Sequence, residues 1–198
     1  MSERRDASPP LEVLRWEHHR PMPWRNGGGI TYEVATSPAG DRLTDFDWRI
    51  SIAEVQAGGP FSAFPGIDRT IVLIDGEWMA LTVDGERHRF GIGEPFRFDG
   101  GSETMCEVAG PSRDLNVMTR RGRATASVSI IDADSSPHGR VEATELVWVC
   151  LTPTVVLAAD TGTEVELQPR DAVRSAGDAP LTIRGDGTVA LIGLSPSH

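Results

Sequence analysis

The chain contains no lysine: all 19 of its basic residues are arginine, set against 29 acidic ones. Biased coding composition accounts for that choice, so the position of an arginine is informative and its abundance is not. The formal net charge of −10 and the isoelectric point near 4.9 argue against nucleic acid or an anionic membrane as partner, since both would repel such a chain. Cysteine is almost absent. Cys106 and Cys150 sit in apolar surroundings (MCEV, VWVC) without CxxC spacing, which predicts buried free thiols and a reducing, cytoplasmic location. No apolar run reaches the length of a membrane span, and the leader MSERRDASPP has no apolar stretch behind its arginines, so an unexported protein is expected. A G-x-S-x-G elbow is missing, and the one glycine-rich stretch lacks the trailing lysine of a P-loop. His18, His19, His88, His138 and His198 are scattered over leader, hairpin, crossover and terminus. They predict no metal cluster, and the His18-His19 pair is expected at the surface.

What is present is punctuation. Twenty-one glycines and 14 prolines separate many short apolar runs, a texture that predicts short strands in a sandwich or barrel and an all-β class. Strands are expected over 11–16 (as an edge), 30–36, 46–55, 70–74, 78–83, 86–90, 95–98 and 104–108. In the second half they are expected over 141–150, 154–159, 164–167, 171–174, 180–184 and 188–194. Gly85 and Gly162, Gly100 and Gly177, and Gly110 and Gly187 are each 77 apart, so turn falls on turn if a β unit is duplicated. The segment MTRRGRATASVSIIDADSSPHGR is the expected crossover, most loop-like from Asp132 to Gly139.

Three stretches carry chemistry. In MPWRNGGGITYEVATSP, Gly27, Gly28 and Gly29 join Trp24-Arg25-Asn26 to a strand, which suggests that backbone bends into a site and offers its amides to a ligand; a purely structural turn is the competing reading. Alternation puts Thr31 and Glu33 on one face, and in FDWRISIAEV it sets Arg49, Ser51 and Ala53 opposite Trp48, Ile50 and Ile52. A face of small neutral residues around one charge suits a lined cavity, although a face simply meeting water is the usual alternative. In GGPFSAFPGIDRTIVLIDG, counting back from Gly76 by the cupin metal motif G(X)5HXH(X)3,4E(X)6G places Ser62 and Phe64 at the histidine positions and Arg69 at the glutamate. None of these suits a divalent metal, and no cofactor is expected. If Arg49 and Arg69 converge, they favour a carboxylate, which guanidinium binds as a fork. Alternatively each pairs with Glu33, Asp47 or Asp68, and for at least one of them that pairing is expected.

Together with the later DLNVMTRRG, these blocks resemble the HutD/Ves family of small cupin-like proteins, closely over residues 11–122 and in texture only beyond. The resemblance implies a bicupin of two β-barrels, 1–122 carrying the ligand pocket and 123–198 the second, with edge strands exchanged between them in one version. It implies a metal-free protein that binds a carboxylate intermediate of histidine degradation, such as formylglutamate or urocanate, in a regulatory role. Alternatives are a metal-independent isomerase or hydrolase using Glu33 as general acid/base, a stress-response protein of the Ves type, and a structural protein or homodimer with a vestigial pocket. The motif positions are Trp24, Arg25, Asn26, Gly27–Gly29, Thr31, Glu33, Arg49, Ser51, Phe61, Ser62, Phe64, Arg69, Asn116, Met118, Arg120 and Arg121. Of these, the expected ligand-binding set is Trp24, Asn26, Gly27, Gly28, Thr31, Glu33, Arg49, Ser51, Phe61, Ser62, Phe64, Arg69 and Asn116, with Trp48 expected as a further wall.

Overall fold

The strands expected from the punctuation are found, with four additions. The computed structural model describes residues 11–38, 45–134, 141–177 and 181–197. In chain order they form β1 (Glu12–Leu14), a 3-10 turn (Trp16–His18), β2 (Arg20–Pro23), β3 (Gly29–Ser37), β4 (Trp48–Val55), β5 (Gly59–Pro60), β6 (Ile67–Asp75), β7 (Met79–Val83), β8 (Glu86–Phe90) and β9 (Pro95–Asp99). There follow β10 (Thr104–Val108), β11 (Ser112–Arg120), β12 (Ala124–Asp132), β13 (Glu145–Thr152), β14 (Val155–Ala159), β15 (Glu164–Leu167), β16 (Ala172–Ala176), β17 (Leu181–Gly185) and β18 (Thr188–Pro196). No helix among the described residues is long and apolar enough to cross a membrane.

The expected crossover holds the end of β11 and then β12, a strand where a connection was read. Its residues 135–140 lie outside the described set. β2 lies outside the expected strands and contains Pro21 and Pro23; it forms because it is the outermost strand of its sheet, where a missing ladder N–H is tolerated.

The chain divides into two units. One comprises Glu17–Ile130 with the chain end from Ser195; the other joins the chain up to Trp16 with Ile131–Leu194. In the first unit, a six-stranded antiparallel sheet, β2-β3-β4-β11-β6-β9, and a four-stranded one, β5-β10-β7-β8, enclose a common core. Ala53, Val55, Ile71, Leu73 and Phe98 from the large sheet pack with Met79, Leu81, Phe90 and Cys106 from the small one. Strands alternate, so the inward residues of each sheet supply that core. In the second unit β1-β16-β13-β18 and β15-β14-β17 enclose Leu146, Trp148, Cys150, Leu157, Leu167, Val173 and Leu191 among others. Among the described residues no sheet closes on itself.

The 77-residue offset has a topological counterpart. The sheet segments β9-β6-β11 and β8-β7-β10 recur as β16-β13-β18 and β15-β14-β17. The Asp84-Gly85 turn closing β7 and β8, with positive φ at both residues, is matched by the loop through Gly162 between β14 and β15.

Candidate functional site

A cavity of about 820 Å³ opens in the first unit, against the inward face of the large sheet. β4 contributes Arg49, Ser51 and Ala53, β11 contributes Asp114, Asn116 and Met118, and β6 contributes Ile67 and Arg69. They meet because of register: Met118 lies between Arg49 and Arg69, Asn116 between Ser51 and Ile71, and Asp114 between Ala53 and Leu73. The floor is therefore three cross-strand rows, most of it polar. The segment Pro60–Pro65 and the residues Met22–Asn26 form the lips, with Ser62, Arg25 and Asn26 exposed there.

The two arginines differ in their company. Both are only 5% exposed. The Arg49 Nε donates to Glu33 Oε2 at 2.6 Å, closing an ion pair. Arg69 has no carboxylate within ion-pair distance among the described residues. Its guanidinium lies 4.9 Å from the Phe61 ring centre, 5.1 Å from Phe98 and 5.7 Å from Phe64, and its Nε makes only a long 3.5 Å contact with Asn116 Oδ1. Burial, offset by the nearby Asp114 and reinforced by Arg49, pushes its pKa down to about 10, so it stays cationic at neutral pH. Asp68, its neighbour in sequence, is taken instead by Arg97 at 2.9 Å and Arg121 at 2.7 Å on the outside. The pairing expected for at least one arginine thus holds for Arg49 and fails for Arg69.

Asp114 is the residue that the sequence reading passed over. It is 2% exposed, its Oδ2 is buried without a hydrogen-bond partner among the described residues, and burial pushes its pKa up to about 7 against the opposing pull of Arg69. The signal was available: in DLNVMTR, period-2 alternation puts Asp114 on the face of Asn116 and Met118. Ser51 Oγ is likewise buried and unpartnered. Met22, Phe46 and Pro60 also line the cavity without having been singled out.

Trp24, Asn26, Thr31, Arg49, Ser51, Phe61, Ser62, Phe64, Arg69 and Asn116 all line the cavity. Trp24 donates its indole N–H to Thr31 Oγ1 at 2.8 Å, fixing that wall. Glu33 reaches the site only through Arg49. Three expectations need correction. Trp48 is not a wall, because it occupies the face of β4 opposite Arg49 and Ser51. Gly27 and Gly28 do not offer amides to a ligand: Gly27 N–H donates to Trp24 O at 3.0 Å and Gly28 N–H to Asn26 Oδ1 at 3.0 Å. The run is a structural turn, with φ +70 at Gly27 and with Gly29 so close to β4 that a Cβ would stand 2.4 Å from Glu54 O. His19, expected at the surface, is buried. Both cysteines are free and buried, and burial pushes each thiol up to about 12.

The motif positions Ser62, Phe64 and Arg69 stand on the cavity, and no group of three or more potential metal ligands occurs among the described residues. A hydroxyl, a phenyl ring and a guanidinium do not make a donor set for a divalent cation, so the metal associated with that motif does not fit here.

Such a pair of facing antiparallel sheets, with a largely apolar pocket holding a few polar groups, defines a cupin-like β protein. A Leptotrichia buccalis cupin 2 conserved barrel domain protein superposes with a TM-score of 0.57 at 6% identity, over 93% of this chain and all of that one, a likeness of fold alone. More specifically, residues 16–192 match the HutD family, and the chain belongs to it. HutD from Pseudomonas fluorescens SBW25 superposes with a TM-score of 0.79 at 33% identity, over 96% of this chain and all of that one. A Pseudomonas putida relative, an uncharacterized 21.2 kDa protein in the hutC 3′ region, is 32% identical over 83% of this chain and 82% of its own. Protein Ves of Citrobacter koseri is 40% identical over 61% of this chain and 65% of its own length.

Proposed function

We propose that the chain is a non-enzymatic, metal-free binding protein whose cavity holds a small carboxylate metabolite. The observation that carries this reading is Arg69: a buried guanidinium with no counter-ion among the described residues, ringed by Phe61, Phe64 and Phe98 at the edge of a cavity large enough for a metabolite. Keeping such a charge out of water is costly unless an anion completes it. Arg49, Ser51 and Asn116 supply further polar contacts on the floor, Asn26 and Ser62 at the mouth. The family, and relatives named for HutD and the hutC region, support an acid from histidine degradation such as formylglutamate or urocanate, bound in a regulatory role in the cytoplasm. The repeated strand order supports the description of the chain as a bicupin of two barrel-like units.

Thermal unfolding in the presence of formate, urocanate and formylglutamate tests the reading. A ligand held only by the folded state at 100 times its Kd adds about 3 kcal/mol, which raises the melting temperature by several degrees. If the whole panel leaves the transition unmoved, the carboxylate reading fails.

A further inference from the structure

The cavity presents a buried carboxyl group as well as a buried guanidinium. Asp114 and Arg69 are both buried, both line the cavity, and lie on adjacent strands, Asp114 being in register with Leu73, on the same face of β6 as Arg69. Among the described residues neither is closed by an ion pair: Asp114 Oδ2 has no hydrogen bond, and Arg69 has no carboxylate in range, only the long contact with Asn116 Oδ1. Two groups of opposite charge type, both buried, on adjacent strands and lining one cavity without an ion pair between them, point to a third species that both can reach.

We propose that Asp114, in its protonated form, and Arg69 together make a proton-coupled carboxylate subsite. Building on the carboxylate-binding reading above, the bound acid accepts hydrogen bonds from the Arg69 guanidinium and from the Asp114 O–H, and each anion enters with one proton held on Asp114.

Charge balance decides between the two protonation states. Arg49 on β4 is neutralised by Glu33 on β3 at 2.6 Å. Cys106, on β10 across the core, is a neutral thiol at any ordinary pH. Arg25 stands exposed at the lip and Arg120 at the far end of β11, where its Nε donates to Phe46 O at 2.9 Å. The Asp114 and Arg69 pair therefore carries one net positive charge when Asp114 is neutral and none when it is ionised. Only the first state attracts an anion, and the second sets a carboxylate against a carboxylate, which is strongly disfavoured in a site shielded from water. Once bound, the anion cancels the pull of Arg69 on Asp114 and disfavours its ionisation further, so ligand and proton hold each other in place. The free carboxyl of Asp114, raised to about 7 by burial, sets the pH at which uptake becomes visible.

The test is the affinity of the full chain for formate and for formylglutamate from pH 5.5 to 8.5, a range in which both probes stay ionised. Affinity is expected to level off at the acid end and to fall by about tenfold per pH unit at the alkaline end. Calorimetry at pH 8 in two buffers of different ionisation heat should count one proton taken up per anion. Asp114→Asn keeps a donor without a titrating proton, and its affinity should be flat with pH and tighter than wild type at pH 8.5. Binding by the wild-type chain with no proton uptake and no pH slope overturns the proposal while leaving the carboxylate reading intact. If neither probe binds at any pH, to wild type or to Asp114→Asn, the carboxylate reading itself falls.

Discussion

The two units place very different residues on the same strand framework. In the first unit Arg69 is in register with Met118 and Phe98, Ile71 with Asn116, and Leu73 with Asp114. In the second unit the corresponding registers are Leu146 with Gly193 and Ser175, Trp148 with Leu191, and Cys150 with Val189. Leucine, leucine and valine thus stand where the first unit has arginine, asparagine and aspartate. Leu146, Trp148, Cys150, Val189 and Leu191 all belong to the second unit's apolar core. The architecture can therefore be filled with hydrophobic side chains at these points, and filling it so is the more stable choice. The polar residues in the first unit are therefore not required by the architecture, and they surround the cavity to which a ligand is proposed to bind.

The sharpest way to break the comparison is to transplant a charge. Val189→Asp gives the second unit the counterpart of Asp114 at a fully buried position, with Leu146 where an arginine would be needed. The two side chains are close in volume, so charge rather than packing is tested. At pH 8 the variant should lose about 4 kcal/mol or more, since the carboxyl must either be forced neutral or remain ionised in an apolar core. Chemical denaturation measures this. A loss below about 1 kcal/mol would mean that the second unit tolerates polar groups as the first does, and the contrast between them would be empty.

The converse exchange makes the first unit resemble the second. Arg69→Leu removes the buried cation that the carboxylate reading depends on, and ligand affinity should drop about 100-fold, near 3 kcal/mol. Stability without ligand should hold or rise, by about 1–2 kcal/mol, because an apolar side chain replaces a desolvated guanidinium and Asp114 can remain neutral. A sharp fall in the unfolding midpoint, with affinity kept, would recast Arg69 as a structural residue.

How far the sequence foretold this contrast depends on the range of the interactions involved. Local punctuation placed β10 and β15 to the residue, because turn residues and alternation are written within a few positions of each other. Alternation also put Arg49 and Ser51 on one face, and the spacing before Gly76 drew attention to Ser62, Phe64 and Arg69. What escaped was set by distant partners. That Gly27 and Gly28 serve a turn was decided locally, by Trp24 O and Asn26 Oδ1, but the need for glycine at position 29 was set by Glu54 O approaching it from β4, which nothing in the run itself records. Which arginine is neutralised was decided by register, Glu33 lying opposite Ser51 beside a bulge that lets it reach Arg49. Asp114 was passed over because an aspartate two residues past a Pro-Ser turn reads as the polar start of a strand, whereas β11 is a central strand buried along nearly its whole length.

The smallest effect comes from the other arginine, and its sign should be opposite. Arg49 and Arg69 are equally buried, yet Arg49 shares its charge with Glu33 at 2.6 Å, and the Glu33 side chain keeps 21% exposure. Arg49→Met preserves an unbranched stem of similar reach and leaves Glu33 without its cation. Because Glu33 is partly hydrated, the loss should be about 1–2 kcal/mol of stability rather than the larger penalty of a fully buried orphan. Affinity for a carboxylate should fall tenfold or less, since the charge removed was already balanced. Adding Glu33→Gln in the same background should recover part of the stability, and the double-mutant cycle should report a coupling near 1 kcal/mol. If Arg49→Met instead abolished binding and spared the fold, Arg49 would be the ligand's arginine and Arg69 its support, and the roles assigned to the two would have to be exchanged.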